Sequence, residues 1–260
     1  HRCLGIKKMK KVRIIARLDV KPPYIVKPIH FDGLRKVGDP EEMALKYYDQ
    51  GADEICYIDI VASLYRREIL YEYIERVAKN ILAPFCVGGG VQTTDDFSKL
   101  FHHGADKVVI NTYALQENSE VIDKAAAIFG SQAVVVHIEA KRWDRWWECY
   151  SDCGRIRSNK DVIQWAKEVE SRGAGEILVS SVGNDGTERG FDIELVGEIV
   201  SNVNIPVIAG SGAGSLEDIK NAIIKAKPDA VAVATLLHYN INTIGDIKKH
   251  LHDNGVEVSL

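Results

Sequence analysis

Short aliphatic and β-branched runs alternate with stretches of helical periodicity along the whole chain. That alternation marks repeated βα units around a parallel sheet, whose strands are buried on both faces and read as continuous apolar runs. Eight strands are predicted, over 12–19, 54–59, 83–88, 107–111, 133–139, 176–181, 205–210 and 230–234, with a helix after each. Asp39-Pro40-Glu41-Glu42 reads as an N-cap followed by proline at the first helical position. Thr94-Asp95-Asp96, Ser158-Asn159-Lys160-Asp161 and Ser215-Leu216-Glu217-Asp218 open three more helices. Ile69, Leu70, Tyr73, Ile74 and Val77 fall at helical spacing and predict a buried stripe within 66–79. Eight strands and eight helices predict a (β/α)₈ TIM barrel, a fold whose chemistry sits at the C-terminal ends of its strands. A doubly wound sheet would want a Gly-x-Gly-x-x-Gly turn after the first strand. The chain instead has Lys21-Pro22-Pro23-Tyr24-Ile25-Val26-Lys27, so the segment up to Asp39 is expected to form a hairpin or mobile flap over the mouth.

The pattern also repeats. Arg17-Leu18-Asp19-Val20-Lys21 returns as His137-Ile138-Glu139-Ala140-Lys141, an offset of 139 − 19 = 120. Pro84 to Gly90 returns as Pro206 to Gly212, where 206 − 84 = 122. Two fused half-barrels account for both offsets. The segment Ile128-Phe129-Gly130-Ser131-Gln132 joins the halves without a linker, so a single domain is expected over 9–260. Residues 1–8 precede Met9, a natural start before the first strand, and read as a leader.

Composition narrows the function. A chain of 260 residues that is 46% hydrophobic can bury one large core. A net charge of −4 offers no case for nucleic acid or an anionic membrane, and no apolar run is long enough to span a bilayer. Five scattered cysteines fit free thiols in a reducing cytoplasm better than a disulfide framework. Cys149 and Cys153 lack a second pair of matching spacing, so no metal and no cofactor are expected. Trp143, Trp146 and Trp147, interleaved with Arg142 and Arg145, are read as a loop or short hairpin after the fifth strand, packed over the mouth.

Two acids then stand out. Asp19 ends the first strand and Glu139 the fifth, which in an eight-stranded barrel places them on opposite sides of the mouth. Such a pair can divide acid and base work. Gly88-Gly89-Gly90 with Asn111-Thr112, and Gly210-Ser211-Gly212 with Asp185-Gly186-Thr187 and Ala234-Thr235, follow strands as two glycine-rich anion-binding sets. They imply a ligand with a phosphate at each end. Arg13, Glu54, Lys107 and Glu176 fall at the opposite ends of strands, as a salt-bridge plug or a gate.

Leu18-Asp19-Val20-Lys21, Gly51-Ala52-Asp53-Glu54, Val87-Gly88-Gly89-Gly90, the run Gly104 to Thr112, Phe129-Gly130-Ser131-Gln132, Gly173 to Leu178 and Asp185-Gly186-Thr187 together resemble the cyclase subunit of imidazole glycerol phosphate synthase, from about residue 12 to the end. The resemblance implies a barrel that takes ammonia from a glutaminase docked at its bottom and joins it to a bisphosphorylated ribulosyl substrate at its top. It implies catalytic roles for Asp19 and Glu139, and a substrate contact for the flap residue Lys27. One phosphate site would comprise Gly90, Asn111 and Thr112; the other Asp185, Gly186, Gly212, Ala234 and Thr235. Arg13, Glu54, Lys107 and Glu176 would form the ammonia gate.

The departures are as informative. Glu139 stands where the family has aspartate, and Arg17 and His137 replace small inward-facing residues one layer below the acids. We expect Arg17 and a protonated His137 to pair with the two acids and lower both pKa values. This pattern resembles a surface-polysaccharide paralogue that supplies ammonia for amidating a sugar, together with a glutaminase and an ATP-dependent amidotransferase. The alternatives are the histidine-pathway cyclase itself and a non-catalytic conduit that activates a glutaminase.

Overall fold

The computed structural model describes residues 11–30 and 32–260; the expected leader lies outside the described residues. Twelve strands form one sheet. They are β1 (Arg13–Lys21), β2 (Tyr24–Ile29), β3 (Asp32–Gly38), β4 (Glu54–Asp59), β5 (Phe85–Gly88), β6 (Lys107–Ile110), β7 (Val134–Trp143), β8 (Trp146–Ser151), β9 (Ile156–Asp161), β10 (Glu176–Ser181), β11 (Val207–Gly210) and β12 (Ala230–Val233). The parallel path runs β1-β4-β5-β6-β7-β10-β11-β12 and closes where β12 pairs with β1, Arg13 opposite Ala230. β7 pairs directly with β10, so β8 and β9 lie outside the ring. The fold is therefore the eight-stranded (β/α)₈ barrel expected from the alternating pattern, with helices between its strands.

Strand alternation sorts each side chain into one of two cores. On β1, Ile14, Ala16 and Leu18 face outward and pack in the same cluster as Ile74, Val77, Phe97 and Trp165 of the surrounding helices. Ile15 faces inward among Cys56, Cys86, Val109, Val135, Leu178 and Ile208. Caps fix where the helices begin. Asp39 accepts from the N–H groups of Glu41 and Glu42 ahead of a helix over Pro40–Asp49, and Ser215 accepts from Asp218 ahead of one over Leu216–Ala226. Each such cap stabilises its helix by about 1 kcal/mol.

Three local expectations change. The helix anticipated within 66–79 covers only Tyr71–Ala78. Arg66 takes a left-handed backbone (φ 49) and Arg67 is tied to Asp59, which holds the preceding segment at the top of β4. Ser158 to Lys160 belong to β9, and the cap of the following helix is Asp161, which accepts from Gln164. The tryptophan segment is a three-stranded antiparallel extension, β7-β8-β9, in which Arg142 stacks on Trp147 and Arg157 on Trp143. The flap is a hairpin: β2 pairs antiparallel with both β1 and β3.

Candidate active site

Asp19 and Glu139 are both buried at the tops of their strands, with 1% and 5% of their surfaces exposed. They line two neighbouring cavities. Glu139 lines a cavity of about 500 Å³ with Asp59, Gly89, Gly90, Asn111, Thr112, Asp152 and Cys153. Asp19 lines a separate one of about 20 Å³ with Arg17, Lys27, Asp185, Gly212, Ala234 and Thr235. The segment after β8 lines the larger one. Gly154 N–H donates to Glu139 Oε2 at 2.7 Å, and the Cys153 thiol donates to the Ile60 carbonyl at 2.5 Å, tying the β7 side of the mouth to the chain beyond β4. Each of the two strand-end acids thus lines its own cavity at the top of the barrel.

The glycine turns account for the shape of both. A Cβ on Gly89 (φ +106) would lie 2.3 Å from the Asp59 carbonyl, and one on Gly212 (φ +103) would lie 2.2 Å from the Gly190 carbonyl. Only glycine fits either approach. Gly90, Asn111 and Thr112 line the larger cavity, where the buried Asn111 Oδ1 has no protein partner. Gly212, Ala234, Thr235, Asp185 and Lys27 line the smaller one. Asp185 fastens two sides of it: its Oδ1 lies 3.5 Å from Lys27 Nζ and accepts from Ser211 Oγ at 3.1 Å. Gly186 lies beneath the flap instead, where an added Cβ would meet the Pro28 carbonyl at 2.4 Å.

The layer beneath the acids is polar and continuous. Arg17 Nε donates to Asp19 Oδ1 at 2.8 Å, and Nη1 donates to Ser180 Oγ at 2.7 Å. Ser180 Oγ lies 3.0 Å from His137 Nε2. A guanidinium only donates, so the serine hydroxyl accepts from Arg17, and the direction of its bond with His137 Nε2 is set by the imidazole tautomer. Burial, helped by the positive charge of Arg17, pushes the His137 pKa down to about 3. Both effects run against the expected protonated His137.

The two acids diverge electrostatically. Burial opposes ionisation of Asp19, but Arg17 and then Lys27 outweigh it and hold the carboxyl below its ordinary range. Glu139 has no ion pair among the described residues. Burial raises it to about 7, with the Gly154 N–H only partly opposing. Arg17 pairs with Asp19 as expected, whereas the expected lowering of Glu139 is reversed, because burial outweighs the more distant pull of Arg17.

At the other end of the barrel the four charged residues form a closed alternating ring. Lys107 Nζ lies 2.7 Å from Glu54 and 2.9 Å from Glu176, while Arg13 bonds Glu54 at 2.8 Å and also Glu176. Burial nonetheless raises the Glu54 pKa against the pull of Lys107.

Over residues 13–243 the chain matches the protein family described as "Histidine biosynthesis protein". The chain belongs to that family. Its relatives include "Imidazole glycerol phosphate synthase subunit HisF" of Campylobacter concisus (strain 13826), 46% identical over 95% of this chain and 98% of the relative. The proteins of the same name from Saccharolobus solfataricus and Pyrococcus furiosus are 45% and 44% identical, over 97% and 95% of this chain and 100% and 98% of their own lengths. These names agree with the resemblance to the synthase cyclase subunit. They favour the histidine-pathway alternative over the surface-polysaccharide expectation.

Some polar groups of this HisF-type site were not singled out in the sequence. Asp59 ends β4, opposite Val20 and so one position beyond Asp19 of β1, lies beside the larger cavity and is paired with Arg67, so its strand-end position was a usable signal. Ser180 is register partner to Glu139, and alternation alone would have turned it inward. Asp152, Cys153 and Gly154 carry no periodic signal. They reach the mouth because β8 turns back after Ser151. Among the described residues, no group of three His, Cys, Asp or Glu is arranged to hold a metal, and no helix is long and apolar enough to cross a membrane.

Proposed function

We propose that this chain is the ammonia-consuming cyclase subunit of an imidazole glycerol phosphate synthase, acting on a substrate with a phosphate at each end. The observation that carries the reading is the divergence of two buried strand-end acids, one held ionised and the other titrating near neutrality, each beside a glycine-rich turn. Asp19 is the base and Glu139 the acid. Ammonia adds to a carbonyl carbon of the ribulosyl chain, Glu139 protonates the developing oxygen, and Asp19 takes the proton shed by nitrogen. Gly90, Asn111 and Thr112 hold one phosphate; Gly212, Ala234 and Thr235, with Asp185 and Lys27 beside them, hold the other. A glutaminase, the HisH-like partner, docks at the bottom face, and its ammonia enters past Arg13, Glu54, Lys107 and Glu176. The names of the relatives support the histidine-pathway substrate. Steady-state turnover of that bisphosphate with ammonium salt tests the assignment. Turnover that falls by at least 10²-fold in Asp19→Asn and Glu139→Gln is the expected result, and an inactive wild-type protein overturns it.

One observation favours a second reading. The Arg17–Asp19 pair and the longer Glu139 alter the reacting centre while both phosphate turns remain, which suits ammonia supply for amidation of a surface-polysaccharide sugar by a separate ATP-dependent amidotransferase. Under that reading the bisphosphate is not turned over, and glutaminase-derived ammonia still reaches the sugar when all three proteins are combined.

A further inference from the structure

The guanidinium of Arg17 is held in two directions and unmet in a third. Nε is taken by Asp19 and Nη1 by Ser180, whereas Nη2 is buried without a protein partner. The residue is 3% exposed and lines the smaller cavity together with Asp19, Lys27, Asp185 and the Ser211–Gly212–Ala213 turn. A buried charged donor left unpaired is costly, and native interiors seldom tolerate one without a role. The two anchored nitrogens fix the plane and direction of the third.

The local charges say what that occupant is. Two cations, Arg17 and Lys27, stand against two carboxylates, Asp19 and Asp185, all four buried. The charge of Arg17 is already met by Asp19 at 2.8 Å, so what Nη2 still offers is a directed hydrogen bond. A phosphate placed there would bring its negative charge against Asp19. An uncharged oxygen would not.

We propose that Arg17 contacts the substrate, with Nη2 donating to an uncharged oxygen, a hydroxyl or carbonyl, on the carbon chain of a phosphate ester whose phosphate sits on the Ser211–Gly212–Ala213 turn. The inference rests on the functional reading above only in taking that turn as a phosphate seat. It makes Arg17 a specificity-determining residue of this chain: the oxygen-bearing chain runs inward from the turn, and Arg17 and Asp19 meet it as donor and acceptor.

Calorimetric titration of the full chain with glycerol 3-phosphate and, separately, with inorganic phosphate tests this. Arg17→Met should weaken the ester about tenfold or more, the worth of one hydrogen bond to a charged group, and leave inorganic phosphate unchanged. Arg17→Lys, which keeps a donor, should recover part of the loss. Because removing Arg17 leaves Asp19 buried and unpaired, the Arg17→Met/Asp19→Asn double variant is measured beside an Asp19→Asn reference, with folding checked by circular dichroism. Equal weakening of ester and inorganic phosphate would mean that Arg17 binds the phosphate itself and would overturn the proposal. So would an unchanged ester affinity, or a wild-type protein that binds neither probe. Ammonium-dependent turnover is followed separately: an inactive wild-type protein with Arg17-dependent ester binding removes the cyclase assignment and leaves this inference standing.

Discussion

Replacing Glu139 with glutamine should make the protein more stable at alkaline pH and leave it nearly unchanged at acid pH. Burial lifts the Glu139 carboxyl from an ordinary 4.5 to about 7 in the folded chain. Each tenfold difference in proton affinity is worth about 1.4 kcal/mol, so the folded state favours the protonated form by about 3 kcal/mol. Between pH 4.5 and 7 the folded chain holds this proton and the unfolded chain does not. Proton binding therefore stabilises the fold fully below pH 4.5, and the contribution is lost as pH rises through about 7. Glutamine cannot ionise, and its side-chain oxygen can still accept from the Gly154 N–H. Glu139→Gln should thus exceed wild type by up to about 3 kcal/mol at pH 8, with the gap closing towards pH 5. Glu54 and Asp59, also raised by burial, titrate in both proteins and cancel in the difference. Urea unfolding monitored by circular dichroism at the two pH values measures it. A stability difference that is the same at both would show that Glu139 is ionised throughout, and the acid role assigned to it would fall.

Three further outcomes are expected. Arg17→Met should cost about 3–5 kcal/mol by stranding Asp19, and adding Asp19→Asn should return part of it; strict additivity in a double-mutant cycle of denaturation midpoints would refute the coupling. Lys107→Met, which leaves Glu54 and Glu176 sharing Arg13 alone, should reduce glutamine-supported turnover of the complex with the glutaminase severalfold while ammonium-supported turnover holds; equal loss of both would remove the gate role. Gly186→Ala should lift the flap from the Pro28 contact and speed tryptic cleavage within 24–36 severalfold; an unchanged cleavage rate would mean that the hairpin does not rest on Gly186.

The barrel was legible because its signals are local and redundant. Apolar runs such as Val134 to Val136, glycine turns and caps such as Asp39 each mark a boundary independently, and alternation alone turns Arg17 and His137 inward beneath the acids. The pairing of the interior charges was legible only in part: the Arg17–Asp19 pair was expected, and the isolation of Glu139 was not. Alternation gives the layer in which a side chain sits, not the neighbour it reaches, and Arg17 is long enough to choose among Asp19, Ser180 and Glu139. Its two bonds go to Asp19 and Ser180, so one acid is neutralised by an ion pair and the other is left to burial alone. Nor does the sequence signal that residues 152–154 fold back into the mouth. That placement follows from β8 reversing against β7, a tertiary event decided by pairing register.

Each half of the barrel carries an antiparallel hairpin after its leading strand: β2 and β3 follow β1, and β8 and β9 follow β7. The first brings Lys27 down over one compartment, and the second sends Gly154 into the other. An ancestral doubling would have supplied two equivalent rims, and these appendages have since made them unlike. Because each hairpin lies outside the closed ring, either can lengthen, stiffen or change its sequence without disturbing strand closure. A chain of this kind can therefore be retuned for a new reactant one side at a time, its frame untouched.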